Sequence, residues 1–70
     1  MNIYLVHEQH KTEDLYNIYP YSTLDLALKH VSNKVGDTFE DTKNLYEQCI
    51  REFSANTSSY RYIIEEAELV

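Results

Sequence analysis

Apolar and polar residues at the start of the chain alternate as they do in a strand. Within residues 2–8, Ile3, Leu5 and His7 fall on one side and Tyr4, Val6 and Glu8 on the other, following the two-residue period of extended backbone. The wholly polar stretch 9–14 predicts a turn. Residues 15–19 then predict a second strand, antiparallel to the first because the connection is short. Pro20 is expected to end that strand or to mark it as an edge.

The period then changes. Leu24, Ala27, Leu28, Val31 and Val35 recur at helical spacing and give one apolar stripe. Ser22-Thr-Leu-Asp25 opens this helix as a capping box, with the serine accepting from the backbone at Asp25. Gly36, the only glycine, follows the last apolar position and suits a left-handed C-terminal cap. Thr38-Phe-Glu-Asp41 repeats the capping pattern for a second helix, expected to be the longer one. Its predicted buried face is Thr42, Leu45, Tyr46, Cys49, Ile50 and Phe53. Glu40, Asn44, Glu47 and Arg51 point away, with Glu47 and Arg51 at the favourable i, i+4 spacing.

Residues 55–59 lack apolar anchors and predict a loop, and residues 60–69 a closing strand. In that strand Tyr60, Tyr62 and Ile64 share a side, but the same phase continues into Glu66 and Glu68, while Ala67 and Leu69 belong to the other. A bulge near Glu65 and Glu66 would restore one apolar face. The expected fold is a single α+β domain over residues 1–70, in the order β-β-α-α-β. It has a three-stranded, mainly antiparallel sheet with two helices on one face. The last strand lies beside either of the first two.

Composition narrows the function. One domain of 70 residues buries only about 60% of the surface its unfolded chain exposes, so close packing or self-association must supply stability. Cys49 is the only cysteine and has no partner for a disulfide within the chain. With a lone thiol and no targeting signal, a cytoplasmic location is expected, and no apolar run approaches the ~20 residues that span a bilayer. Twelve acids against six bases give a net charge of −6, which disfavours nucleic acid and favours basic proteins as partners.

No constellation of catalytic residues is apparent. His7 and His10, on a strand end and in a turn, do not converge as metal ligands. Cys49 falls in the predicted buried stripe, where a thiol behaves as a small hydrophobe. Glu65 and Glu66 point to opposite faces of a regular strand. No enzyme activity, metal or cofactor is therefore expected.

Seven tyrosines are the strongest positive signal, since the phenol ring buries apolar area while its hydroxyl keeps a hydrogen bond. With helices on one side only, some of Tyr4, Tyr16, Tyr60 and Tyr62 must lie on the uncovered sheet face. There they form either a cross-strand ladder or a docking surface. Glu40, Glu47 and Glu52 near the second helix, with Glu65, Glu66 and Glu68 in the last strand, complete the candidate partner-binding set. Spaced carboxylates of this kind can imitate phosphates, although such charges more often only solvate a surface.

The opening Ile-Tyr-Leu-Val-His-Glu, the Tyr-Pro-Tyr-Ser-Thr-Leu-Asp-Leu-Ala-Leu leading into a helix and the closing Tyr-Ile-Ile-Glu-Glu-Ala-Glu-Leu resemble small accessory proteins encoded by bacteriophages. The resemblance covers about half of the chain, at the level of strand and helix signatures. It implies a non-enzymatic inhibitor of a host or defence protein, such as a nuclease or CRISPR effector, in the manner of anti-CRISPR proteins. The segment from Thr38 to Ser54 departs from the commoner single-helix pattern and adds an acidic surface of its own. Two alternatives remain: a homodimer or larger homo-oligomer joined through the tyrosine face, and a sponge for a small signalling ligand.

Overall fold

The computed structural model describes residues 1–50 and 52–68. Its elements in chain order are β1 (Asn2–His10), β2 (Tyr16–Tyr21), α1 (Leu24–Val35), α2 (Phe39–Gln48), β3 (Ala55–Asn56) and β4 (Tyr60–Glu68). The strands form one antiparallel sheet in the order β2-β1-β4-β3. The α+β class, the two helices and the antiparallel pairing agree with the sequence pattern. The sheet, however, has four strands rather than three. The last long strand lies beside β1, which becomes an interior strand bonded on both sides.

β3 occupies part of the expected loop. Ala55 pairs with Tyr62 and Asn56 with Arg61, a ladder too short to show alternation in sequence. Thr57 closes the hairpin: its backbone N–H donates to the Tyr60 carbonyl at 2.8 Å, and its hydroxyl accepts from the Tyr60 N–H at 2.8 Å. At the other edge, Pro20 lies inside β2, which runs to Tyr21 rather than stopping at residue 19. An edge strand tolerates a residue with no N–H to give.

α1 forms where its stripe predicts, with Ala27, Leu28 and Val31 fully buried against the sheet. Thr23, rather than Ser22, is the N-cap and accepts from the Leu26 N–H at 3.3 Å. Gly36 ends the helix at φ +80°, where its N–H reaches the Ser32 carbonyl at 2.9 Å. An L-residue there would cost about 1–2 kcal/mol.

α2 begins at the expected Thr38 cap, which accepts from the Asp41 N–H at 3.1 Å. It is the shorter helix, with 10 residues against 12 in α1. Only Thr42 and Tyr46 of the helix are buried, and Leu45 is exposed. Cys49 caps the helix and is exposed, and Ile50 is 61% exposed. These positions continue the helical stripe on paper, but the helix has already ended, and the chain turns so that Phe53 packs on Tyr46 instead. The expected Glu47–Arg51 pair and the end of the last strand at Leu69 lie outside the described residues.

The β1–β4 ladder runs from Asn2 opposite Glu68 to His10 opposite Tyr60 with no bulge. The conflict in the last strand is resolved by the extent of the helical cover. Tyr62 and Ile64 are buried, whereas Glu66 and Glu68, farther along the same side, are exposed. Glu66 accepts there from the Asn2 amide at 2.6 Å.

Candidate functional site on the open sheet face

The register sorts every strand residue to one of two faces. Toward the helices lie Tyr4, Val6 and Glu8 of β1, Tyr19 and Tyr21 of β2, and Tyr60, Tyr62 and Ile64 of β4. The open-face expectation for Tyr4, Tyr60 and Tyr62 is therefore corrected. All three share the phase of Val6 that α1 covers; Tyr62 is 2% exposed, and Tyr4 and Tyr60 pack against the core. Six of the seven tyrosines belong to the core or pack on it, and Tyr16, at 53% exposure, is the exception.

Two of these phenols converge on Glu8, a buried carboxylate. It accepts from Tyr62 Oη at 2.8 Å, from the Asn17 amide at 3.2 Å and from Tyr19 Oη at 3.4 Å. Burial pushes its pKa up, but these hydrogen bonds and the charge of Lys34 outweigh that and hold it below the ordinary carboxylate value. The phenols respond in the opposite sense. Burial, then Glu8, raises Tyr62 and Tyr19 above the ordinary phenol value.

His30 of α1 stacks beside this cluster, 4.6 Å between ring centroids from Tyr19. Burial, then Lys34, lowers its pKa. The ring meets Tyr21 Oη through Nδ1 at 2.5 Å, and its Nε2 is buried without a partner among the described residues. The sequence reading missed this network. Its one signal was Glu8 itself, a charged residue in the same strand phase as Tyr4 and Val6.

The other face of the sheet has no helix over it among the described residues. Its cross-strand rows are Tyr16–Gln9–Arg61, Ile18–His7–Ile63 and Pro20–Leu5–Glu65. His7 is central. Its Nε2 meets Glu65 Oε1 at 3.0 Å and its Nδ1 meets Tyr16 Oη, so the three side chains form a diagonal across β2, β1 and β4. In a neutral imidazole that donates to the carboxylate, Nδ1 is left as the acceptor for the phenol. Such a line orients a phenol and can pass a proton along it.

A groove of about 500 Å³ adjoins this diagonal, lined by His7, Tyr16, Ile63 and Glu65 and walled by Ile50 from beyond α2. Among the described residues, no group of three or more histidine, cysteine or acidic side chains is placed to hold a metal ion.

The candidate acids do not form one array. Glu65 lies on the open face and Glu66 on the opposite one, while Glu68 is exposed near the end of β4. Glu40 is exposed on α2, and Glu47 and Glu52 come together around Cys49 and Ile50. His10, the second histidine of the opening strand, is turned away from His7. It stacks edge-on to Tyr60 at 4.9 Å and accepts the N–H groups of Thr12 and Glu13, fixing the turn.

Among the described residues no helix is long and apolar enough to cross a membrane. Comparison with protein-family models, with curated proteins and with solved structures finds no match for the chain.

Proposed function

We propose that this protein is a non-enzymatic binding module that docks another protein on the open face of its sheet. The observation that carries the reading is that face itself. Ile18 at 48% and Tyr16 at 53% stand exposed on it, with Ile3, Leu5 and Ile63 half-buried beside them, and among the described residues no helix covers the set. Aliphatic and tyrosine side chains flanking a polar centre match the make-up of protein interfaces. The partner fitting a chain of net charge −6 is a basic protein, approached by electrostatic steering. Nucleic-acid-processing and defence proteins of a bacterial host are of that kind. A phage-type inhibitor acting by steric or charge-mimetic blocking is the specific form of the proposal.

The Tyr16–His7–Glu65 diagonal supports docking more than catalysis. Tyr16 is 53% exposed and the Glu65 side chain 58%. Water therefore competes at both ends of the line, whereas acid–base catalysis gains from a site that excludes it.

The test is affinity capture from a bacterial host lysate by the wild-type chain and by Tyr16→Ala and Ile18→Glu variants, each checked for folding by NMR. Loss of one defined basic partner with both variants supports the reading. Capture that is indifferent to both variants removes it.

A further inference from the structure

β4 is paired with β1 along its whole length, but β3 meets it only at Arg61 and Tyr62. From residue 63 to residue 68 the outer edge of β4 therefore has no strand partner among the described residues. Side chains of a strand point alternately to its two faces, so a groove confined to one face touches every second residue. The groove beside β4 touches Ile63, Ile64, Glu65 and Glu66 without a break, with Ile50 as its far wall, and opens onto the uncovered face at Arg61, Gln9, His7 and Tyr16. It therefore wraps over the strand's edge from that face.

We propose that this edge is a strand-addition site that accepts an extended, lysine- or arginine-rich segment of another protein. The inference rests on the docking reading in that its occupant is a partner protein; the groove adjoins the open face, but the hydrogen bonds come from the edge of β4. An unpaired edge offers a row of N–H and C=O groups to an incoming chain, and flanking pockets select its alternate side chains. Ile50 and Ile63 supply apolar contact here.

Charge identifies the occupant. Glu65, Glu66 and Glu68 are exposed along the edge, and Glu47 and Glu52 line the depression on the other side of Ile50. A second copy of the chain pairing edge to edge about a two-fold axis would set these glutamates against their own counterparts, and like charges across a ladder repel. A basic strand meets opposite charge at each of them. The sheet's other edge, β2, contains Pro20, which has no N–H to offer. The two edges are thus unequal, and β4 is the receptive one.

The probe is a synthetic peptide of about eight residues that alternates lysine and valine, titrated into the 15N-labelled full chain. Its acidic counterpart alternates glutamate and valine. Two further peptides are methylated on the backbone nitrogen of every second residue, one at the lysines and one at the valines. Strand addition slows amide exchange at alternate positions within residues 63–68, and one methylated isomer binds roughly tenfold more weakly than the parent because its sheet-facing N–H groups are gone. Glu68→Lys weakens binding several-fold, and Glu65→Lys does the same where it folds. Glu13→Lys, an exposed charge reversal in the β1–β2 turn outside the groove, leaves binding unchanged.

Absence of protection at residues 63–68, equal binding by both methylated isomers or equal binding of the acidic peptide overturns the proposal. A partner captured through Tyr16 and Ile18 without protection at β4 overturns strand addition alone. Protection at β4 with capture indifferent to those two residues overturns open-face docking alone.

Discussion

The two faces of the sheet are made from alternate residues of the same strands, yet they solve different problems. Beneath α1, Val6 and Ile64 alternate with Tyr62, Tyr19 and Glu8, and the hydroxyls of Tyr62 and Tyr19 find their acceptor in Glu8. On the open side, Ile3, Leu5, Ile18 and Ile63 surround a histidine whose partners are half in water. The covered face thus mixes aliphatic side chains with phenols, whereas the open face is aliphatic around one polar line. Phenols packed in a small core need an acceptor for their hydroxyls, and one carboxylate serves two of them. The aliphatic side chains make no such demand and are left for a surface that another molecule can cover.

The sharpest way to break this comparison is to remove a covered ring. Tyr62→Ala is expected to cost about 3–5 kcal/mol, as for other large aromatic truncations in a core, read as a lower denaturation midpoint in urea. A smaller cost would mean that the covered face is no better packed than the open one. Next comes the shared acceptor. Glu8→Leu leaves the buried Tyr62 hydroxyl without a partner and is expected to cost about 1–3 kcal/mol. The paired Glu8→Leu, Tyr62→Phe variant recovers part of that loss, which a double-mutant cycle measures.

The pH dependence of stability sharpens the same contrast. Glu8 and His30 have folded pKa values below their ordinary 4.5 and 6.5. In each case the unfolded chain binds the proton more readily, so stability falls with pH, below about 6.5 through His30 and below about 4.5 through Glu8. Tyr62, Tyr19 and Tyr46 are raised above the ordinary 10.0. The unfolded chain ionises first there, so stability also falls as pH rises past about 10. Thermal melts across this range give a plateau with two shoulders, and His30→Phe removes the upper step of the acid one. A flat acid limb in the wild type would contradict the role assigned to both groups.

The smallest effects belong to the open surface. Tyr16→Phe and Cys49→Ser are expected to change stability by no more than about 0.5 kcal/mol. Cys49, being exposed, should react with a maleimide in the folded protein without a lag. Slow labelling that tracks global unfolding would return it to the core.

Local signals in the sequence marked α1 almost completely. Its stripe, first-turn acid and terminal glycine all describe one element, and the structure moves only the cap, by one residue. The two phases of β1 were legible as well. Which phase the helices would cover was not, because Ile3 and Leu5 are as apolar as Tyr4 and Val6, and only long-range packing separates them. Placing Tyr4, Tyr60 and Tyr62 outside followed from treating tyrosine as a surface residue before its acceptor was known. Of the four tyrosines from which some were expected on the uncovered side, the β1–β2 register puts Tyr16 there. The helical period was extended through Cys49 and Ile50, where packing against α1 had already ended. β3 has too few residues to carry any period at all.

β1 is the interior strand, yet its two neighbours come from opposite ends of the described chain: residues 16–21 on one side and residues 60–68 on the other. The β1–β2 hairpin closes over a short loop and is a fast event, whereas joining β1 to β4 spans nearly the entire polypeptide and must overcome a large loop entropy. Glu8 records the difference. It stays hydrated in the early hairpin and gives up its water only when β4 brings Tyr62 to it. The slow step in folding is thus also the one that seals the carboxylate, and mutations at residues 60–64 will report on it through the refolding rate.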